Sequence, residues 1–338
     1  MDMKEYMRSK RWGVFNHYLP WPKQGTPRDV AAKEWNATVD SFDVENLAKT
    51  LHEMGAGYYF ITLMHGAEYM PVPNKAYEKI TGMPENYVCS KRDLVLDLYD
   101  ALKKYDIDLC LYYNGLSPFN NSYAADCREN IFGGPVKVTQ IGTFLNVDAK
   151  EYIAKWAEPI RELSLRYWDK IKMWWMDSCY DYAGYTEELL ETYCDAFKAG
   201  NPDVLVGYNN GELIGWDEVC AETQGIFDKM NVPVINRCGE AKLMKRCSFE
   251  DVTCGEHLGF TYIPDGAYTD GALTHLLIPA GNTIDGNMWG TSGVGYSRET
   301  IEEYVHKVNE IGGIVTIDIG VKPDGSFYDE HIKLLSGI

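Results

Sequence analysis

The chain lacks the marks of several large protein classes. None of its apolar runs approaches the roughly 20 residues of a membrane-spanning helix. Lysine and arginine number 32 against 50 aspartates and glutamates, a formal net charge of −18. No basic patch interleaved with aromatics is present, so nucleic acid and anionic membrane surfaces are poor partners and a neutral substrate suits better. None of the nine cysteines stands in a CxxC pair or at metal-ligand spacing. Buried free thiols in a reducing compartment are expected instead. The opening Met1-Asp-Met-Lys-Glu-Tyr-Met-Arg8 lacks the apolar core of a signal peptide. The expectation is a cytoplasmic protein as written, or a periplasmic or secreted one if a leader has been removed. There is no GxSxG elbow for a serine hydrolase. Asn16-His17-Tyr18-Leu19-Pro20, after the first strand-like run, cannot cradle a phosphate as a glycine-rich turn would.

What is abundant is aromatic: 24 Tyr, 11 Phe and 9 Trp. Such rings fill large cores, and they also offer flat faces to the C–H side of a sugar. Strand and helix patterns alternate from one end to the other. Strand-like runs are Arg11–Tyr18, Gly57–Met64, Ile107–Tyr113, Ile171–Met176, Val204–Tyr208 and Gly313–Ile319. Beyond residue 215 the pattern blurs, with Val232–Asn236, Asp251–His257 and His275–Pro279 as candidates. Between them lie helical stretches at Asp43–Met54, Lys91–Tyr105, Val147–Tyr167, Thr186–Ala199, Arg298–Glu310 and Asp329–Leu335. Asp43 is placed to cap the first and Gly55 to stop it. Pro159 predicts a kink in the long third helix. Repeated βαβ units imply a parallel sheet, and seven or eight of them predict an α/β fold of the (β/α)8 barrel type, read as one domain over residues 1–338. A doubly wound open sheet is the alternative. The stretches Leu19–Asp40, Gly66–Ser90 and Leu116–Asn146 read as long loops, the usual builders of a barrel's active site.

Catalytic groups of a parallel barrel gather at the C-terminal ends of its strands. The richest such end is Ile171-Lys-Met-Trp-Trp-Met-Asp177-Ser-Cys-Tyr-Asp181, a buried strand closing on a carboxylate among aromatics. Asp177 there fits an acid of glycoside hydrolysis, or equally a helix cap. Trp174, Trp175 and Tyr180 lie beside it. Polar groups end four other strands: Asn16 and His17; His65 followed by Glu68; Tyr113 and Asn114; Asn209 and Asn210. Together they suit the reading of a ligand's hydroxyls. His17, His65 and Asp177 could also hold a metal, but the first strand offers Asn-His-Tyr rather than the paired HxH ligands of metal barrels.

Arg11-Trp-Gly-Val-Phe-Asn-His17-Tyr resembles the opening strand of glycoside hydrolase family 29, the α-L-fucosidases. Tyr59-Phe-Ile-Thr-Leu-Met-His65-Gly-Ala-Glu68, Leu109-Cys-Leu-Tyr-Tyr113-Asn and Trp174-Trp-Met-Asp177-Ser are similar to its next three strands. Gly312-Gly-Ile-Val-Thr-Ile-Asp-Ile-Gly320 and Pro323-Asp-Gly325-Ser resemble its closing segment. The resemblance implies a barrel and a retaining two-carboxylate mechanism on a carbohydrate substrate, with no metal and no cofactor. Asp177 would be the nucleophile. Glu222, some forty residues on, would be the acid/base, with Glu256 and Glu240 as alternates. His17, His65, Glu68, Tyr113, Trp175, Asn209 and Trp289 would bind the sugar. The chain departs from the family at the second strand, where Gly66 follows His65 in place of a second histidine. It departs again at the fifth strand's end, and no C-terminal β-sandwich follows the barrel segment. Fucose and a related deoxy sugar therefore both stay open. So does a catalytically silent carbohydrate-binding barrel, and more remotely a metal-dependent barrel hydrolase or isomerase.

Overall fold

The computed structural model describes residues 2–115, 126–127, 129–131, 149–179, 185–209, 243–281 and 288–338. Its strands are β1 (Trp12–Asn16), β2 (Tyr58–Thr62), β3 (Asp108–Asn114), β4 (Ile171–Asp177), β5 (Leu205–Tyr208), β6 (Tyr268–Thr269), β7 (Ala272–Leu273), β8 (His275–Pro279) and β9 (Ile314–Asp318). Its helices are α1 (Met3–Ser9), α2 (Arg28–Asp40), α3 (Val44–Met54), α4 (Lys75–Thr81), α5 (Leu94–Leu102), α6 (Ala149–Tyr167), α7 (Glu187–Phe197), α8 (Arg298–Glu310) and α9 (Asp329–Leu335). Seven strands form one sheet in the order β5-β4-β3-β2-β1-β9-β8, and every pairing in it is parallel. β6 and β7 make a separate antiparallel hairpin. Parallel neighbours need a crossover, and the helices supply it. The sheet curls as a half-barrel, consistent with a (β/α)8-like fold.

Alternation along the strands divides the core in two. Phe15, Phe60, Cys110, Tyr112, Met173 and Trp175 turn to the concave side and cluster there. Their neighbours Val14, Tyr59, Ile61, Leu111, Tyr113 and Trp174 turn outward into the helix layer. Both faces are buried, so the strands are mostly apolar along their middles. From below, α1 stops the concave side: Met7 is fully buried in the inner cluster. Arg8 Nε donates to Gly312 O at 3.0 Å and Lys4 Nζ to Gly271 O at 2.8 Å.

The predicted caps are present. Asp43 accepts from Asn46 N–H at 3.0 Å, and Gly55 closes α3 in the left-handed region at φ 92°. Pro159 lies inside α6, where Asn74 Nδ2 donates to its carbonyl at 3.0 Å. Two of the expected loops contain helices, α2 and α4. The inward stripe of α2 is Ala31, Ala32, Trp35 and Val39, whose alanines give little periodic signal. α4 is only seven residues long and rests on its Asn74 cap, which accepts from Tyr77 N–H at 2.8 Å. Of the third loop, residues 116–125 and 132–146 lie outside the described residues, as does Val232–Asn236.

Asp251–His257, predicted as a strand, is held by isolated bridges at Val252–Leu273 and Glu256–Leu277. It reaches both edges of the sheet. Asp251 N–H donates to Val206 O of β5 at 2.9 Å, and His257 N–H to Leu277 O of β8 at 3.0 Å. Gly255 has φ +62°, and a Cβ there would sit 1.9 Å from His275 O. Only glycine allows that approach.

Candidate active site

Asp177 ends β4 on the concave side, in step with Met173 and Trp175. Its carboxylate accepts four hydrogen bonds. Ser178 N–H and Asn209 Nδ2 reach Oδ1 at 2.6 and 2.8 Å. Tyr112 OH and Asn114 Nδ2 reach Oδ2 at 2.5 and 3.2 Å. A carboxylate has about four lone-pair sites, so this one is held in a single orientation. Ser178 takes a left-handed φ of 62°, which turns its N–H back onto Oδ1.

Asn209 follows β5 directly and is fully buried. Its backbone N–H donates to Met176 O at 2.7 Å, and its carbonyl accepts from Cys179 N–H at 2.9 Å. The side-chain nitrogen donates to Asp177 and also to Glu256 Oε2. Two carboxylate oxygens on one nitrogen lie no further apart than two hydrogen bonds end to end, about 6 Å.

A second carboxylate system stands across the pocket. His17 Nδ1 meets Asp318 Oδ2 at 2.9 Å, and Asp318, the last residue of β9, is fully buried. Gly290 N–H holds Asp318 Oδ1 at 2.7 Å. A proton on Nδ1 satisfies the carboxylate and leaves Nε2 toward the pocket. Gly290 has φ +64°, and a Cβ there would lie 2.8 Å from His17 Cβ.

Trp175, Tyr112 and His65 form a wall of stacked rings. Trp175 and Tyr112 lie 5.4 Å apart at 20°, Tyr112 and His65 5.6 Å apart at 18°. The indole is fixed by its N–H, which donates to Cys254 O at 2.9 Å. Loss of hydration, then the neighbouring His17, pushes the His65 pKa down to about 4, so its ring is neutral at pH 7. Phe15, Leu19 and Leu277 add apolar surface, and Trp289 stands 5.8 Å from His17. The cavity measures about 170 Å³. Drug-sized ligands need about 300–1,000 Å³, and a 150 Å³ cavity holds a single benzene. The space is that of one small ring.

Of the residues expected from sequence, His17, His65, Trp175, Asp177 and Trp289 line this pocket, and Asn209 lies behind the carboxylates. Tyr113 does not: it is buried on the helix side, 5.5 Å from Trp156. Tyr112 faces the pocket in its place, since one residue along a strand changes the face. Glu68 is also outside the lining and fully buried, with its carbonyl accepting from Tyr77 OH at 2.8 Å. Glu222 and Glu240 lie outside the described residues, while Glu256, the other alternate, lines the pocket. Asp318 went unread as a site residue, although the strand-end rule that selects Asp177 selects it equally. Among the described residues no group of three or more His, Cys, Asp or Glu is arranged to hold a metal ion.

Comparison with known proteins bears on the fold and the family. A putative alpha-L-fucosidase of Caenorhabditis elegans is 28% identical over 117 residues, 35% of this chain and 23% of that protein. An alpha-L-fucosidase of glycoside hydrolase family 29 from Bacteroides thetaiotaomicron superposes with a TM-score of 0.61 at 18% identity, over 99% of this chain and 72% of that one. An endo-fucoidan hydrolase of glycoside hydrolase family 107 gives 0.68 at 15% identity, over 99% of this chain and 52% of that one. At these identities the superpositions speak for the fold. The chain spans about half the length of the latter hydrolase, and its match covers about a quarter of the curated relative. The alpha-L-fucosidase family model matches residues 3–338, and the chain belongs to that family.

Proposed function

We propose that this chain is a retaining exo-glycoside hydrolase of α-L-fucosidase type, with Asp177 as nucleophile and Glu256 as acid/base. One observation carries the reading: the two carboxylates share the Asn209 amide beside an aromatic, one-ring pocket. Oxygens within about 6 Å of each other are compatible with the roughly 5–5.5 Å between the carboxyl groups of a retaining pair. A carboxylate oxygen of Asp177 attacks the anomeric carbon as the glycosidic C–O bond breaks, and Glu256 gives its proton to the departing oxygen. In the second half, water gives a proton to Glu256 and its oxygen displaces Asp177 from the same carbon. The ring wall offers the sugar's apolar face a stacking surface. His17, fixed by Asp318, offers Nε2 to a hydroxyl. The hydrogen bonds from Asp251–His257 to both sheet edges support closure of the sheet into a full barrel around this pocket.

The test is hydrolysis of a panel of aryl α- and β-glycosides that includes α-L-fucoside, by the wild type and by Asp177→Gly, Glu256→Ala and Glu222→Ala. Release from one glycoside, lost in Asp177→Gly and Glu256→Ala and restored by azide, is expected. Full activity in Glu256→Ala, with loss in Glu222→Ala, would overturn the acid/base assignment. Sugar binding by a wild type that hydrolyses no glycoside would leave a silent binding barrel.

A further inference from the structure

We infer that Asn209 is the positioning residue that couples the two carboxylates, whose oxygens fix which end of its amide faces them. This inference rests on the assignment of Asp177 and Glu256 above. The amide carries two N–H donors on one nitrogen. One goes to Asp177 Oδ1 at 2.8 Å and the other to Glu256 Oε2. On the opposite end, Cys254 Sγ donates to Asn209 Oδ1 at 3.5 Å. A flipped amide would turn its oxygen onto two carboxylates and its N–H groups onto the thiol. The backbone of Asn209 is pinned by Met176 and Cys179, so the side chain starts from a fixed root and is fully buried.

Three consequences follow for catalysis. Among the described residues, the group that bridges nucleophile and acid/base is a neutral amide. No charge is added between them, so each carboxylate is left to feel the other. When Asp177 becomes an ester it loses its charge, and the amide can shift toward Glu256 as that residue takes up its role as base. A positively charged residue at this position would favour ionised Glu256 strongly and oppose its role as acid. An amide holds the geometry with a far weaker bias.

The test compares Asn209→Ala and Asn209→Asp with the wild type on an aryl glycoside that it cleaves, across pH. For Asn209→Ala, kcat should fall on the order of 10²-fold with KM changed only a few-fold, the pattern of a lost transition-state contact. Both limbs of its pH–rate profile should move to higher pH, because each carboxylate loses a donor to its charged form. Asn209→Asp keeps the shape and removes the donors. It should be nearly inactive at neutral pH and recover as pH falls, when a protonated Asp can donate again. A folded Asn209→Ala with an unmoved profile and near-wild-type kcat overturns the inference. If that variant does not fold, Asn209→Asp decides: loss without acid recovery overturns it, and recovery supports it. Azide rescue of Asp177→Gly reads the nucleophile independently, so failure of this inference is distinct from failure of the assignment beneath it.

Discussion

The two carboxylates of the pocket are held in different ways. Asp177 ends a strand that is paired on both sides, to β3 and β5, and receives four hydrogen bonds. Glu256 stands on a stretch joined to β7 and to β8 by one isolated bridge each, and follows a left-handed glycine. One group is fixed by strand ladders on both sides; the other stands on a stretch outside any strand, hydrogen-bonded to both edges of the sheet. A nucleophile must meet one carbon along one line, so rigidity serves it. An acid that later becomes a base must reach first a leaving oxygen and then a water, and a looser mount accommodates both.

This contrast can be broken from either side. The largest effect is expected from Tyr112→Phe, which removes the shortest donor to Asp177: kcat should drop about 10²- to 10³-fold with little change in melting temperature. An equal loss of stability would show that Tyr112 serves packing instead. Gly255→Ala attacks the looser mount. Its left-handed backbone and the blocked approach to His275 O should cost about 1–3 kcal/mol or more. Hydrogen exchange should rise in Asp251–His257 before it rises in β4, and uniform exchange would deny the difference. Asp318→Asn should lower kcat/KM about 10- to 100-fold, the worth of a charge-assisted bond at 1.5–3 kcal/mol. An unaffected kcat/KM would remove His17 from substrate binding.

Acid should loosen the Glu256 side first. His275 is fully buried between Thr253 O at 3.0 Å and Thr316 Oγ1 at 2.7 Å, and burial pushes its pKa down to about 4. The unfolded chain takes up this proton near pH 6.5 and the folded chain only near 4. The stability is therefore complete above pH 6.5 and is lost as pH falls toward 4, by roughly 3 kcal/mol. His65 acts in the same sense. Melting curves between pH 7 and 4 check this, and His275→Gln should flatten them. The smallest effect is expected from Tyr113→Phe. Its hydroxyl is buried without a hydrogen-bond partner among the described residues, so activity should hold and stability should stay level or rise slightly.

The adjacent tyrosines show where sequence reading stops. β3 is apolar on both faces, so no alternation tells Tyr112 from Tyr113, and only the fold assigns the face. Asp177 was legible because a carboxylate closing an apolar run is conspicuous in any register. α8 and α9 matched residue for residue, since each has a clean period or a sharp stop, while β8 matched one of the candidates in the blurred stretch. Glu256 stood among three candidates because spacing along the chain does not measure distance across a curled sheet. The helix α2 hid behind its alanines, and Asp318 behind the assumption that the last strand only closes the fold.

The Met7 side chain lies in the inner cluster on the concave side, and Phe60, His275 and Thr316 lie beneath the pocket. In the proposed cycle the severed leaving group has to clear the mouth before water can take its position, so crowding at the mouth would slow the second half. Tight contacts made by a large aglycone at that mouth would slow the cycle they help to begin.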